Sequence, residues 1–173
     1  MPSRHSRHSS TALDSRMPVV SFLPQLGDLL HRFGLERHPS DQDIGTLSFD
    51  RLVVLQNILQ GIVMGRVQEE FTIQSDTLLE IHQLSSRLLQ RMFEVEVHCL
   101  YRAFGAVDGF SHLDSISLVF VNNGIYDIMQ RSRHHRNILR HGFLSDLQNA
   151  WEVSLNILEG LDTLAPLAAQ NSR

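Results

Sequence analysis

The chain has 173 residues and a formal net charge of −4; 42% of the residues are hydrophobic and 20% charged, the balance of a globular domain rather than a disordered chain. All fifteen Lys+Arg residues are Arg, which excludes a Schiff-base lysine, a phosphate-loop lysine and a Ser-Lys nucleophile, and the single cysteine, Cys99, excludes an internal disulfide and a thiolate-rich zinc site. The longest apolar runs, such as Ile116 to Val121, fall far short of the roughly 20 residues that cross a bilayer, and no secretory signal is expected.

Residues 1–20 are rich in Ser, Arg and His and too poor in apolar side chains to repay ordering, so a flexible basic tail is expected. Arg4, His5, Arg7, His8 and Arg16 also have the look of a transit or nuclear-import patch, but without an apolar face or a contiguous basic block. From Pro24 to Leu35, Leu26, Leu29, Leu30 and Phe33 recur at three and four, predicting a short amphipathic helix that Gly34 ends in a left-handed cap. The polar stretch ERHPSDQDIGT then reads as a loop. Ser48 predicts the start of a second helix with a wide apolar face through Leu52, Leu55, Ile58, Leu59, Ile62 and Val63, ending near Met64 and Gly65.

Ser75 or Asp76 caps a long helix of about 25 residues, with Leu78, Ile81, Leu84, Leu88, Met92, Val95 and Cys99 on one stripe and Glu80, Gln83, Arg87, Gln90, Arg91 and Glu94 on a solvated side. SISLVFV reads as buried extended chain or a helix start. From about Arg131 to Leu161 a last helix carries Leu139, Phe143, Leu147, Ala150, Ile157 and Leu161, widened by Leu144, Trp151, Leu155 and Leu158. The expected architecture is an all-α bundle of about four to six helices, with a tail over 1–20, a helical domain over 21–162 and a frayed end over 163–173.

Few residues point to chemistry. His134 and His141 lie seven apart, roughly 10 Å along a helix, too far to share an ion unaided, and no His-x-x-x-His pair occurs; no metal or cofactor is expected. His98 and Cys99 would point about 100° apart on a helix, so a Cys-His nucleophile gives way to a buried inert thiol. Neither a Gly-x-Ser-x-Gly elbow nor a dinucleotide fingerprint is present. Met64, Met92 and Met129 read as core filler. Arg131, Arg133, His134, His135, Arg136, Arg140 and His141 form a basic cluster with no acid among them. At a helix start such charges would be unfavourable, which implies carboxylate partners elsewhere. The cluster suits phosphate or an acidic partner, though no aromatic residue interleaves it.

Two segments together resemble the regulatory domain of the fungal aflatoxin-biosynthesis regulatory proteins. The first, SFDRLVVLQNILQGIVMGRVQEEFTIQSDTLLEIHQLSSRLLQ, runs from Ser48 to Gln90; the second, GIYDIMQRSRHHRNILRHGFLSDLQNAWEVSLNILEGL, runs from Gly124 to Leu161. Order and separation agree with that family's layout. With one cysteine the chain lacks the family's six-cysteine binuclear zinc cluster, and Glu69, Glu70 and Phe71 stand where a cysteine pair often occurs. Asp50, Gly124 and Tyr126 match motif positions and are assigned to capping, turn geometry and packing.

The resemblance implies a nuclear, or otherwise cytoplasmic, non-catalytic interaction module that regulates transcription of a secondary-metabolite gene cluster. Its partner would be a full-length transcription factor or a second copy, with nucleic acid reached only indirectly and no membrane. Leftover apolar area on the second and last helices would bind, Arg133, Arg136 and Arg140 would steer, and Trp151 would anchor. Direct nucleic-acid binding through Arg131 to His141, and a small helical ligand carrier, are the alternatives.

Overall fold

The computed structural model describes residues 22–68 and 75–170, with side chains over 26–64 and 76–161. Six α-helices and one 3-10 helix make up the described chain, with no strand among them: α1 (Phe22–Arg32), α2 (Asp41–Gly45), α3 (Phe49–Gln68), α4 (Ser75–Phe104), the 3-10 turn (Val107–His112), α5 (Ser115–Arg133) and α6 (Phe143–Gln170). The all-α architecture expected from the sequence is the one found. The basic tail over 1–20, the Glu69 to Phe71 segment and residues 171–173 lie outside the described residues.

α1 buries Leu26 and Leu30 and stops at Gly34, whose φ of +72° is open to glycine at little cost. Gly34 donates its N–H to the His31 carbonyl and Leu35 to that of Leu30, the paired bonds that close a helix end. The stretch expected as loop contains α2. Ser40 makes it possible: its Oγ accepts from the Asp43 N–H while the Asp43 carboxylate accepts from the Ser40 N–H at 2.7 Å, a capping box that supports even a five-residue helix. Ile44 of α2 is buried with Leu35 and Leu47.

α3 starts after Ser48, whose carbonyl accepts from the Leu52 N–H, and runs through Gln68 rather than stopping near Gly65. Leu52, Leu55 and Leu59 face α4 and are fully buried, while Val54, Ile58 and Met64 face outward. Met64, at 53% exposure, is therefore not core filler, whereas Met129 is. Buried Gln56 fixes the register of α3 on α4 by donating to Ser85 Oγ at 2.8 Å and accepting from it at 3.1 Å.

α4, 30 residues long, is the spine. Its first half buries Ile81, Leu84 and Leu88 in a core shared with α1, α2 and α3; its second half buries Phe93, with Val97, Leu100 and Phe104, in a second core shared with α5 and α6. At about 100° per residue these two faces lie roughly 150° apart around one helix. Cys99 continues the first face past the end of the first core, so it is exposed, not the buried thiol the stripe suggested.

Asp114 caps α5 by accepting from the Ser117 N–H at 2.8 Å, and SISLVFV is the start of that helix, with Leu118 and Val121 buried and Ile116 and Phe120 exposed. Gly124, expected in a turn, sits inside α5 at its closest approach to α4. A Cβ there would lie 2.9 Å from Leu100 Cδ1. The predicted single helix from Arg131 to Leu161 is two: α5 ends at Arg133, a connection turns the chain, and Gly142 (φ +89°) precedes α6. Leu139 kept the apolar spacing although it belongs to the turn. α6 buries Phe143, Leu147 and Ala150 and runs on through Gln170, past the Leu161 where the sequence pattern ends it. Asn122 of α5 joins it by donating to Ser154 Oγ at 2.9 Å.

Candidate partner-binding surface

The basic cluster occupies the last turn of α5 and the α5–α6 connection, not the start of a helix. Cations at a helix C-terminus complement its dipole, so the placement is favourable rather than costly. Two side chains of α4 pin the connection. Gln90 accepts the Arg140 backbone N–H at 2.8 Å, and the Phe93 ring lies 6.2 Å from that of His135 and 6.4 Å from that of Phe143. Phe93 falls off the apolar stripe read for this helix, and Gln90 carried no signal, because a polar residue on a solvated face looks the same whether or not it caps a distant loop.

The arginines divide by what holds them. Arg131 pairs through both terminal nitrogens with Glu96 of α4, through Nε with Asp127 at 2.9 Å, and lies 5.7 Å over the Phe93 ring. Glu96, and then Asp127, hold its guanidinium still more firmly protonated than usual against the opposing effect of burial. This is the carboxylate partnership the cluster implied, and it commits Arg131 to the fold. Arg133 donates to Gln148 of α6 at 3.1 Å, and further back along α5 Tyr126 meets Trp151 of α6 with ring centroids 5.7 Å apart. Arg140 reaches Asp146 only at 3.9 Å, and Arg136, exposed, has no ion pair among the described residues. The structure thus sets Arg133 and Trp151 along one α5–α6 seam, and Arg136 and Arg140 on the connection. Trp151 is half-buried, packed on the edge of the second core.

Arg140 also borders a groove of about 660 Å³ between α2, α4 and the connection. Arg87 and Arg91 of α4 line it with Asp41 of α2 and Glu94, and Ile44 and Ile138 give it apolar floor and rim. Arg87 is bound to Asp41, with both Nε and Nη2 at 2.7 Å from Oδ1. Arg91 is held loosely: Nη1 is 3.7 Å from Glu94, and its buried Nε has no acceptor among the described residues. Sequence reading placed Arg87 and Arg91 on a solvated helix face and Asp41 in a loop, so this groove was not foreseen. The Ser40-x-x-Asp43 capping spacing was the available signal.

Cys99 lies in a second groove of about 580 Å³ between α4 and α5, with Phe49, Gly124 and Arg131 among its lining residues. Elsewhere the bundle exposes apolar residues: Val54, Ile58 and Met64 on α3, Ile116 and Phe120 on α5, Val153 and Leu161 on α6. Among the described residues no three His, Cys, Asp or Glu side chains converge as metal ligands, and no helix is long and apolar enough to cross a membrane. Comparison of the chain with protein-family models, with curated proteins and with solved structures finds no match.

Proposed function

We propose that this chain is a helical protein–protein interaction module that regulates transcription of a secondary-metabolite gene cluster. In this reading it acts in the nucleus, without a zinc cluster and without catalysis, as the resemblance to fungal pathway regulators implies. The observation that carries the reading is the outward apolar area on α3, where Val54 and Met64 are 50% and 53% exposed, together with Val153 and Leu161 on α6. Apolar residues left uncovered on two helices are the composition of a surface that a partner covers: apolar contact supplies affinity, and charge, with Arg136 outside any ion pair among the described residues and Arg140 held only at 3.9 Å, supplies steering and register. Arg133, Arg136 and Arg140 steer the partner and Trp151 anchors it.

The reading is tested by fusing the chain to an unrelated DNA-binding domain and measuring transcription from a reporter bearing its operator. The fusion is expected to change reporter output, and Val54→Asp with Ile58→Asp, checked for helicity by circular dichroism, is expected to abolish the change. A folded wild-type fusion that leaves the reporter unmoved overturns the proposal.

A further inference from the structure

The groove between α2, α4 and the α5–α6 connection has chemistry of its own. Arg87, Arg91 and Arg140 enter it from one side and the other, against two carboxylates, Asp41 and Glu94. Asp41 is satisfied by Arg87, which leaves Arg91 and Arg140 as the under-paired cations: Arg91 with a buried Nε that meets no acceptor among the described residues, Arg140 with its nearest carboxylate at 3.9 Å. Guanidinium forks of this kind are built for planar oxyanions, which they grip through two parallel hydrogen bonds. Between them the floor is Ile44, and Ile138 stands at the rim, 42% exposed.

The lining separates the classes of anion. A phosphodiester chain presents a continuous run of negative charge and bases that stack; here two carboxylates interrupt the positive surface and no aromatic residue lines the groove. A small organic acid is held by near-complete enclosure, and this groove is only about half enclosed. An extended segment bearing discrete carboxylates beside apolar side chains matches both the spaced arginines and the isoleucines. We propose that this groove binds an acidic, apolar peptide segment of the partner protein, with Arg91 and Arg140 each taking a carboxylate and Ile44 and Ile138 receiving an apolar side chain. The proposal deepens the interaction-module reading and rests on it. It adds Arg91 of α4 to Arg140 of the connection as the residues that take the partner's carboxylates.

The test is fluorescence anisotropy of the full chain with a short labelled peptide of Asp, Glu, Leu and Phe. Binding is expected, with affinity falling about tenfold in Arg91→Gln and again in Arg140→Gln, since one charge-assisted hydrogen bond is worth roughly a power of ten. Arg37→Gln and Arg102→Gln, exposed and away from the groove, are expected to bind as wild type, and the same peptide with Asn and Gln for its acids is expected not to bind. Absence of peptide binding, or equal affinity in all four variants, overturns the proposal. So does preferential binding of a labelled DNA duplex, displacement of the peptide by inorganic phosphate at equal concentration, or a dimer in sedimentation that Arg91→Gln dissolves. The reporter assay reads the parent proposal independently. A silent groove with an active fusion sinks only the groove assignment, whereas a binding groove with an inactive fusion sinks the transcriptional role.

Discussion

Arg131 is held from three sides: by Glu96 across the α4–α5 interface, by Asp127 one turn back, and by the Phe93 face beneath it. Glu96 is only 22% exposed and Arg131 46%, so solvent screens part of the attraction without removing it. Glu96→Gln is expected to lower stability by about 1 kcal/mol, read as a shift of the urea midpoint at constant slope, because Asp127 keeps the guanidinium paired. A loss above about 3 kcal/mol would mean that the pair behaves as a buried one. The same residue shows why a basic run is a poor guide to a binding site. Arg131 and Arg140 are indistinguishable as letters, and only the position of α4 decides that one is structural and the other available.

At the scale of elements, the caps are the most local of the determinants. Asp43 and Asp114 each accept hydrogen bonds from a serine three residues away, and these bonds hold both carboxyls below the ordinary 3.8. For Asp43 the Ser40 hydroxyl is the main cause; for Asp114 it is the Ser117 backbone N–H. A folded value lowered in this way favours the charged form. The stability it contributes is complete above the ordinary carboxylate range and is lost as pH falls through the lowered value. Asp114→Asn is therefore expected to flatten the acid limb of a thermal-stability profile below about pH 4, relative to wild type. An unchanged acid limb would remove the cap from the account.

Other local signals, an apolar spacing of three and four, the glycine at 34, and Ser48 and Ser75 or Asp76 ahead of apolar runs, made α1, its Gly34 stop and the starts of α3 and α4 legible in the sequence. What was not legible has a common physical cause. The missing break at Gly142 was hidden because Leu139 and Phe143 keep a spacing of four through a turn. α2 was hidden because five residues are too few for a period to register. Cys99 was misread because α4 changes which side it buries halfway along, a fact about its neighbours rather than about its own sequence. The groove residues Arg87, Arg91 and Gln90 were read only as solvated, since what faces them is set by remote chain: Asp41 of α2 for Arg87, and for Gln90 the connection 50 residues away.

For the molecule as a whole, two cores hang on one helix. Leu59 lies fully buried in the first, and Trp151, the single tryptophan, packs against the second. If α4 transmits unfolding between them, Leu59→Ala is expected to cost about 2–5 kcal/mol and to lower the urea midpoint seen by Trp151 fluorescence as much as that seen by far-ultraviolet circular dichroism. A variant whose Trp151 midpoint stays at the wild-type position while its helicity falls early would instead show two independently melting halves.

The change of buried face along α4 has a mechanical corollary. From Leu89 to Val95 the two cores overlap on α4, Leu89 and Phe93 packing on one and Met92 and Val95 on the other, and the helix acts as a rigid axle carrying two wheels at a set angle. One residue inserted there would turn one wheel against the other by about 100° and slide it about 1.5 Å, pulling a whole seam off its mate. That short stretch is where the chain tolerates exchange of letters but not a change in their number.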